Sequence, residues 1–191
     1  MTVMGTTTTT LMSFAEFERI DQGADQIELL KGELIRMPPP QRDHMDVCHG
    51  LYDMLKAAVD ISRKTQPNVN LGKVYMEMGY LLSGDPRFSG DPRSWLQPDV
   101  SLTHPQQPGD RYYEGAPLMV FEIVSEYDTA RHLEAKAAEC LAHGAAEVWV
   151  IYPDTRHARV YDNSSPAARR ETKSIHSELL PGIEILLDDI L

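Results

Sequence analysis

The chain lacks any segment suited to a membrane or to export. No apolar run in its 191 residues approaches the roughly 20 consecutive apolar residues that a bilayer span requires. Its N-terminus also lacks the basic segment followed by an apolar core that marks a secretory signal. These absences argue against an integral membrane or secreted protein, so we expect a cytoplasmic protein without a membrane partner.

Cysteine is almost absent. Cys48 and Cys140 are too few for a disulfide framework or a cysteine zinc site, and both fall on apolar faces of predicted helices. We therefore expect two buried free thiols, which fits a reducing cytoplasm. The histidines also show no spacing typical of zinc ligands.

Basic residues are few as well. The 18 Lys and Arg residues face 29 Asp and Glu residues, which gives a net charge of −11. This charge argues against broad, nonspecific affinity for nucleic acid, because such affinity depends on basic side chains that neutralise phosphates. A local basic groove, or phosphate binding through metal ions, remains compatible with it. The sequence contains neither a glycine-rich phosphate loop nor a Gly-x-Ser-x-Gly motif.

Local patterns in the first third of the chain predict a helix, a hairpin and a longer helix. Ser13 and Glu16 have the spacing of a capping box, so a short helix should extend to about residue 21. Residues 27–30 and 33–37 are expected to form two strands with a glycine in the turn between them. Apolar residues at helical spacing over 42–63 predict a long amphipathic helix.

The remainder of the chain alternates strands and a helix in the order of an α/β domain. The elements expected there are a strand at 68–83, loops at 84–97 and 104–117, strands at 98–103, 118–124, 147–152 and 157–161, a helix at 128–143, a weaker strand at 171–176 and a terminal segment at 183–191. Residues 118–124 are apolar on both faces, as in a central strand covered on both sides. The strand, helix and strand that follow one another there imply a right-handed parallel crossover.

Glu122 is unusual within the predicted central strand. It shares a strand face with Val120 and Val124. An ionised carboxylate in such surroundings costs several kcal/mol unless it is paired or bound to a cation. The alternatives are a glutamate that reaches solvent at the strand end and a structural salt bridge.

Lys136 is unusual on its helix. It belongs to the apolar stripe that should pack on the sheet, together with Leu133, Ala137, Cys140 and Leu141. Lysine is rare on such a stripe unless it has a partner or its ammonium extends outward to solvent. Both explanations stay open at this point.

Asp99 completes a set that suits phosphodiester hydrolysis. Strand alternation places Asp99 and Ser101 on one face and Val100 on the other, although an ordinary aspartate at a strand start would look the same. Two carboxylates on neighbouring strands can hold Mg²⁺ or Mn²⁺ through oxygen ligands. An ammonium beside them can stabilise the negative charge that develops on a phosphate.

Several stretches, spread over nearly the whole chain beyond residue 12, carry a family resemblance. They are residues 27–35, 38–40 followed by His44, 98–100, 120–125, Lys136, 144–149 and 180–182. In this order they resemble the Uma-type putative restriction endonuclease family, a bacterial branch of the PD-(D/E)XK nuclease superfamily. The resemblance implies an α/β fold with a restriction-endonuclease-like mixed β-sheet core, flanking helices and an N-terminal hairpin. Residues 13–191 would form this single nuclease-like domain, after a disordered segment at residues 1–12.

The resemblance also implies site residues. Asp99 matches the family's Pro-Asp aspartate, Glu122 the glutamate of the next core strand, and Lys136 a lysine that this branch carries on the following helix. Glu28 and Glu33 match acidic positions of the hairpin. Of these we favour Glu33 as an additional metal-side carboxylate, with ordinary strand surface as the alternative for both.

His44 matches a family histidine at the start of the long helix. Its spacing to Cys48 and Leu51 places it on the inner helix face, where it is either a core histidine or a catalytic helper.

The chain departs from the family pattern near the lysine. Val124 stands where the superfamily normally has its lysine, His132 where relatives have an aspartate, and Cys140 where they have a tyrosine. The segment 125–128 also differs from the usual Ser-Pro-Ser-Thr. Because His132 cannot replace the charge of an aspartate that orients the lysine, reduced or altered activity is one consequence.

These inferences predict a Mg²⁺- or Mn²⁺-dependent DNA endonuclease that acts as a homodimer, since two active sites are needed to cut both strands symmetrically. The alternatives are a catalytically weak or inactive member that binds nucleic acid or protein, and a metal-dependent hydrolase of another phosphoester. The loop at 87–93, with two arginines, is a further candidate for phosphate contacts.

Overall fold

The computed structural model describes residues 11–21, 23, 25–66, 68–82 and 94–191 of the chain. The loop at 87–93 and the first ten residues of the expected disordered segment lie outside these ranges. The helices and strands are α1 Phe14–Phe17, β1 Gln26–Leu30, β2 Glu33–Met37, α2 Arg42–Thr65, β3 Val74–Met76, β4 Tyr80–Leu82, β5 Ser94–Leu96, β6 Val100–Leu102, β7 Tyr113–Glu114, β8 Met119–Ile123, α3 Ala130–Ala142, β9 Glu147–Tyr152, β10 His157–Asp162, β11 Arg169–Glu171, β12 Ser174–His176, β13 Glu184–Leu186 and a 3₁₀ turn at Leu187–Asp189.

The hairpin of β1 and β2 forms as the sequence predicts. Lys31 and Gly32 both have positive φ, at 52° and 83°, and such a two-residue turn matches the twist of antiparallel strands. The hairpin belongs to a five-stranded sheet in the order β2-β1-β5-β4-β7. The capping box of Ser13 and Glu16 is also present, although α1 ends at Phe17 instead of near residue 21.

The central layer is a six-stranded mixed sheet in the order β11-β10-β9-β8-β6-β3. Strands β8 and β9 are parallel neighbours joined through α3, which confirms the predicted parallel crossover. Phe121 and Ile123 pack into the cluster beneath α2, whereas Val120 packs into the cluster beneath α3. The predicted coverage of the central strand on both faces is therefore confirmed.

The five-stranded sheet lies against the α3 side of the central sheet. Leu30 and Leu82 of that sheet share a hydrophobic cluster with Leu133 of α3 and Val150 of β9. The opposite face of β1, with Ile27 and its neighbours, packs against α1. This arrangement brings the inner face of β1, helix α3 and strand β8 together.

Other sequence predictions were also wrong in detail, among them the loop predicted at 104–117, which contains β7. The single strand predicted at 68–83 is two strands, because Glu77 adopts a φ of 47° between them and sends β3 and β4 into different sheets. Residues 94–96, predicted as loop, form β5, which pairs with β1 on one side and β4 on the other. The weak strand predicted at 171–176 is likewise divided between β11 and β12.

None of the helices in the described ranges combines the length and the apolarity that a bilayer span requires.

Candidate active site

One cleft of about 1160 Å³ gathers the candidate residues. Its walls come from the β1–β2 hairpin, the N-terminal turns of α2, the end of β8 and the first turns of α3. The six candidate site residues named from the family resemblance all line it, namely Glu28, Glu33, His44, Asp99, Glu122 and Lys136. The structure thus brings together side chains that lie up to 108 positions apart, as Glu28 and Lys136 do.

Lys136 forms two ion pairs at the base of the cleft. Its Nζ lies 2.8 Å from Glu28 Oε1 and 2.9 Å from Glu122 Oε2. All three side chains are buried. Burial by itself lowers the pKa of Lys136, but the negative charges of Glu122, Glu28 and Asp99 outweigh it and raise that pKa well above its ordinary value. Lys136 is therefore held as an ammonium, and it does not extend to solvent.

Glu122 has one satisfied oxygen and one orphaned oxygen. Oε2 accepts the hydrogen bond from Lys136 Nζ, whereas the buried Oε1 has no hydrogen-bond partner in the described part of the chain. Burial raises the pKa of Glu122, and the carboxylates of Asp99 and Glu28 add to the rise against the opposing effect of Lys136. A cation at Oε1 would satisfy this oxygen and favour the ionised carboxylate.

Asp99 lies beside the same strand and is held from two directions. Its Oδ2 accepts a hydrogen bond of 2.7 Å from the backbone N–H of Ile123, and its Oδ1 lies 3.2 Å from His44 Nε2. The hydrogen bond to Asp99 raises the pKa of His44 despite the opposing effect of burial. The contact with His44 and the hydrogen bond from Ile123 together hold Asp99 next to the end of β8.

The two glutamates of the hairpin differ in position. Glu28 is buried and accepts hydrogen bonds from Lys136 Nζ and from the backbone N–H of Gln97, the latter at 2.6 Å. Glu33 is exposed at the rim of the cleft. The sequence favoured Glu33 over Glu28 as a metal-side carboxylate. Glu28 nevertheless shows the same signal as Glu122, because each is a carboxylate in a strand that is apolar on both faces.

Lys136 is held in place although residues near it depart from the family pattern. His132 lines the cleft but is exposed, and Cys140 is buried between α3 and the sheets. Lys136 takes its orientation from Glu28 and Glu122, so an aspartate at position 132 is not needed to hold it. Val124 lines the cleft just beyond Glu122 on the same side.

The cleft is acidic. Of the described residues that line it, ten carry carboxylates and two carry permanent positive charges, Arg36 and Lys136. The acidic set is Glu28, Glu33, Asp43, Asp46, Asp99, Glu122, Glu126, Asp128, Asp154 and Asp189. Such a surface attracts cations and repels bare phosphate.

Comparisons with known proteins identify the family and the fold of the chain. The family model described as "Uma2: Putative restriction endonuclease" matches residues 14–188 of the chain. A crystal structure of a protein from Anabaena variabilis, titled a putative nuclease belonging to DUF820, is similar in fold, with a TM-score of 0.74 and 17% sequence identity. That match covers 94% of this chain and 97% of the other, and it confirms the predicted α/β fold class. No curated protein matches the chain significantly in sequence.

Proposed function

The chain belongs to the Uma2 family of putative restriction endonucleases, and from that premise we propose that it is a Mg²⁺- or Mn²⁺-dependent endonuclease that hydrolyses DNA phosphodiester bonds. The cleft would be its active site. Asp99 and Glu122 would hold the metal ion, and Lys136 would act beside them.

The Glu122 carboxylate is the observation that carries this proposal. One of its oxygens is bound by Lys136, and the other is buried without a partner among the described residues. Among the described residues of this cluster, the carboxylates of Glu28, Glu122 and Asp99 are accompanied by one ammonium, that of Lys136. A structural salt bridge would need one carboxylate for that ammonium, so the excess negative charge favours a site built for a cation.

The donor set fits Mg²⁺ or Mn²⁺. Carboxylate oxygens are the ligands that these cations prefer, and Glu122 and Asp99 supply them. When bound, the metal would polarise the scissile phosphate and provide a hydroxide nucleophile from a bound water. These contributions require ionised carboxylates, and a cation favours the ionised form of Glu122.

The roles of the remaining residues follow from their contacts. The Lys136 ammonium is held by two carboxylates, so it can donate a hydrogen bond to a phosphate oxygen without a large rearrangement. His44 is a positioning residue, because its imidazole contacts Asp99 Oδ1 and limits the rotation of that carboxylate. Glu28 positions Lys136 in the same way.

The acidic lining makes the metal essential for substrate binding in this proposal. DNA would enter a cleft of this charge only when cations neutralise part of it. A homodimer and a cytoplasmic location complete the proposal. The dimer would supply two active sites for the two strands, and the two free, buried thiols suit a reducing compartment.

The acidic lining also favours one rival, a non-catalytic protein that uses the same fold to bind a partner. Calorimetric titration with Mn²⁺ separates the two. The nuclease requires metal binding that Glu122→Gln weakens, because that change removes a ligand charge and keeps the shape. A hydrolase of another phosphoester would bind metal in the same way but leave DNA intact.

The proposal is tested by cleavage of supercoiled plasmid in the presence of Mn²⁺. Wild type should nick the plasmid, and Asp99→Ala and Lys136→Ala should each abolish nicking. Glu139→Gln is the matched control, because Glu139 is buried on the same helix as Lys136 but bonds Ser94 and Lys31 instead. This control should retain cleavage.

Two outcomes would overturn the nuclease proposal. The first is the absence of cleavage across metals and DNA forms by folded wild type. The second is cleavage that survives both Asp99→Ala and Lys136→Ala, since the activity would then arise outside this cluster.

A further inference from the structure

A second set of groups with potential metal-ligand atoms borders the cleft, which is lined by two of its three members, His44 and Asp99. His44, Cys48 and Asp99 each offer one ligand atom, and these atoms all lie within 4.8 Å of one another. The set combines a nitrogen, a sulfur and an oxygen, whereas the cluster around Lys136 offers only carboxylate oxygens. The two sets meet at Asp99.

The positions of these groups follow from the fold. His44 and Cys48 are four residues apart on α2, so they lie on the same helix face one turn from each other. That face packs on the central sheet, where Asp99 precedes β6 and is fixed by the backbone N–H of Ile123. The sequence did not suggest the site, because the third ligand is 51 positions beyond Cys48.

The two α2 side chains have their ligand atoms close to Asp99. The Cys48 thiol is buried, and His44 Nε2 already points at Asp99 Oδ1 at 3.2 Å. His44 Nδ1 is buried as well, without a hydrogen-bond partner in the ranges that the structure describes. The Asp99 carboxylate therefore contacts the His44 imidazole and lies close to the Cys48 thiol.

The ligand chemistry distinguishes this set from a magnesium site. Mg²⁺ selects hard oxygen ligands, whereas Zn²⁺ and related borderline-soft cations bind imidazole nitrogen and thiolate sulfur. Zn²⁺ bonds of roughly 2.0–2.3 Å place tetrahedral ligand atoms about 3–4 Å apart, so modest side-chain shifts would bring this set around one ion. Three protein ligands leave a fourth position for water.

We propose that His44, Cys48 and Asp99 form a binding site for a borderline-soft divalent cation of the Zn²⁺ class. Because Asp99 cannot serve both sets fully, occupancy of this site would compete with Mg²⁺ or Mn²⁺ at the carboxylate cluster. Zn²⁺ would then inhibit cleavage. The competition rests on the proposed function, whereas the binding itself does not.

The test uses Co²⁺ as a spectroscopic substitute for Zn²⁺ on the reduced full chain. Thiolate coordination should produce a charge-transfer band in the near ultraviolet that saturates with Co²⁺ and disappears when Zn²⁺ is added. Mg²⁺ should produce no band. Because the chain contains two cysteines, the band must come from Cys48 or Cys140.

Matched variants assign the band. Cys48→Ala should abolish it, and Cys140→Ala, which removes the other buried thiol, should retain it. His44→Gln and Asp99→Asn keep both thiols, and each should weaken Co²⁺ binding by more than the roughly 10–100-fold that loss of an outer-shell partner costs. Circular dichroism checks that each variant is folded.

Several results would overturn the inference. They are the absence of a band in wild type, a band that survives Cys48→Ala, and Co²⁺ affinity that is unchanged by Asp99→Asn. A band without DNA cleavage in Mn²⁺ would support this site while the nuclease proposal fails. Cleavage without a band would support the nuclease and overturn this inference.

Discussion

Lys136 Nζ and Glu28 Oε1 are 2.8 Å apart, although the lysine is on the helix that follows β8 and the glutamate is on the five-stranded sheet. This ion pair therefore connects the central sheet layer to the hairpin across the base of the cleft. Because Lys136 also bonds Glu122, a single ammonium holds together carboxylates from both sheets. The stability of the cleft and the chemistry that we propose for it therefore involve the same side chain.

Removal of this ammonium should destabilise the protein. Lys136→Met leaves Glu28 and Glu122 buried without compensation, and loss of one partner of a buried pair costs about 3–5 kcal/mol. Addition of Glu122→Gln to this variant should recover part of the loss, because one uncompensated charge disappears. Urea unfolding in metal-free buffer measures both effects.

Lys31→Met is the matched control for that measurement. Lys31 pairs with the buried Glu139, but the Lys31 side chain is 61% exposed and Glu139 keeps its hydrogen bond from Ser94, so the loss should stay below about 1 kcal/mol. Equal losses in Lys136→Met and Lys31→Met would mean that the buried cluster does not stabilise the fold as argued.

The two hairpin glutamates should differ in their effect on cleavage. Glu28→Gln removes one of the two carboxylates that position Lys136, so we expect a loss of roughly 10–100-fold, the range for partners that orient a site. Glu33→Gln should change the rate little, because Glu33 is exposed at the rim. A larger effect of Glu33→Gln would instead identify Glu33 as the metal-side carboxylate that the sequence favoured.

The His44 imidazole should titrate above its ordinary value in metal-free protein. The hydrogen bond to Asp99 raises its pKa, so the pair contributes stability that is fully present below the unfolded-state pKa of about 6.5. That contribution is lost as the pH rises through the raised pKa of the folded state. NMR titration should show that Asp99→Asn lowers this pKa.

Asp60→Asn is the control for the titration, since Asp60 lies on α2 itself and pairs with Arg63 on the exposed face of that helix. It should leave the His44 titration unchanged. A His44 pKa that is the same in wild type and Asp99→Asn would contradict the positioning role assigned to this pair.

Two glycines should respond to alanine in opposite directions. A Cβ at Gly72 would overlap the hydroxyl and carbonyl oxygens of Thr103, so Gly72→Ala should cost about 1–3 kcal/mol or more. A Cβ at Gly50, inside α2, would meet nothing closer than Ile190 at 3.9 Å. Gly50→Ala should therefore stabilise the helix by about 0.5–1 kcal/mol, as measured by chemical unfolding. A destabilised Gly50→Ala would contradict the packing described for that helix face.

Local periodicity was enough to find Glu122 and Lys136 in the sequence. A strand and a helix each impose a repeat that assigns every residue to a face, so a charge on an apolar face stands out without knowledge of the partner. The hairpin, the long helix and the parallel crossover follow from equally local signals. Each of these predictions depends on interactions within a few residues of one another.

Only the tertiary structure decided which partners these charges meet. Strand register places Glu28 and Glu33 on the same face of the hairpin, so alternation could not separate them. Glu28 meets Lys136 because the five-stranded sheet packs against α3, and that packing depends on contacts between residues far apart in the chain. The meeting of Cys48 with Asp99 has the same origin. Local rules assign a side chain to a face, and the packing of one element on another selects the atoms it contacts.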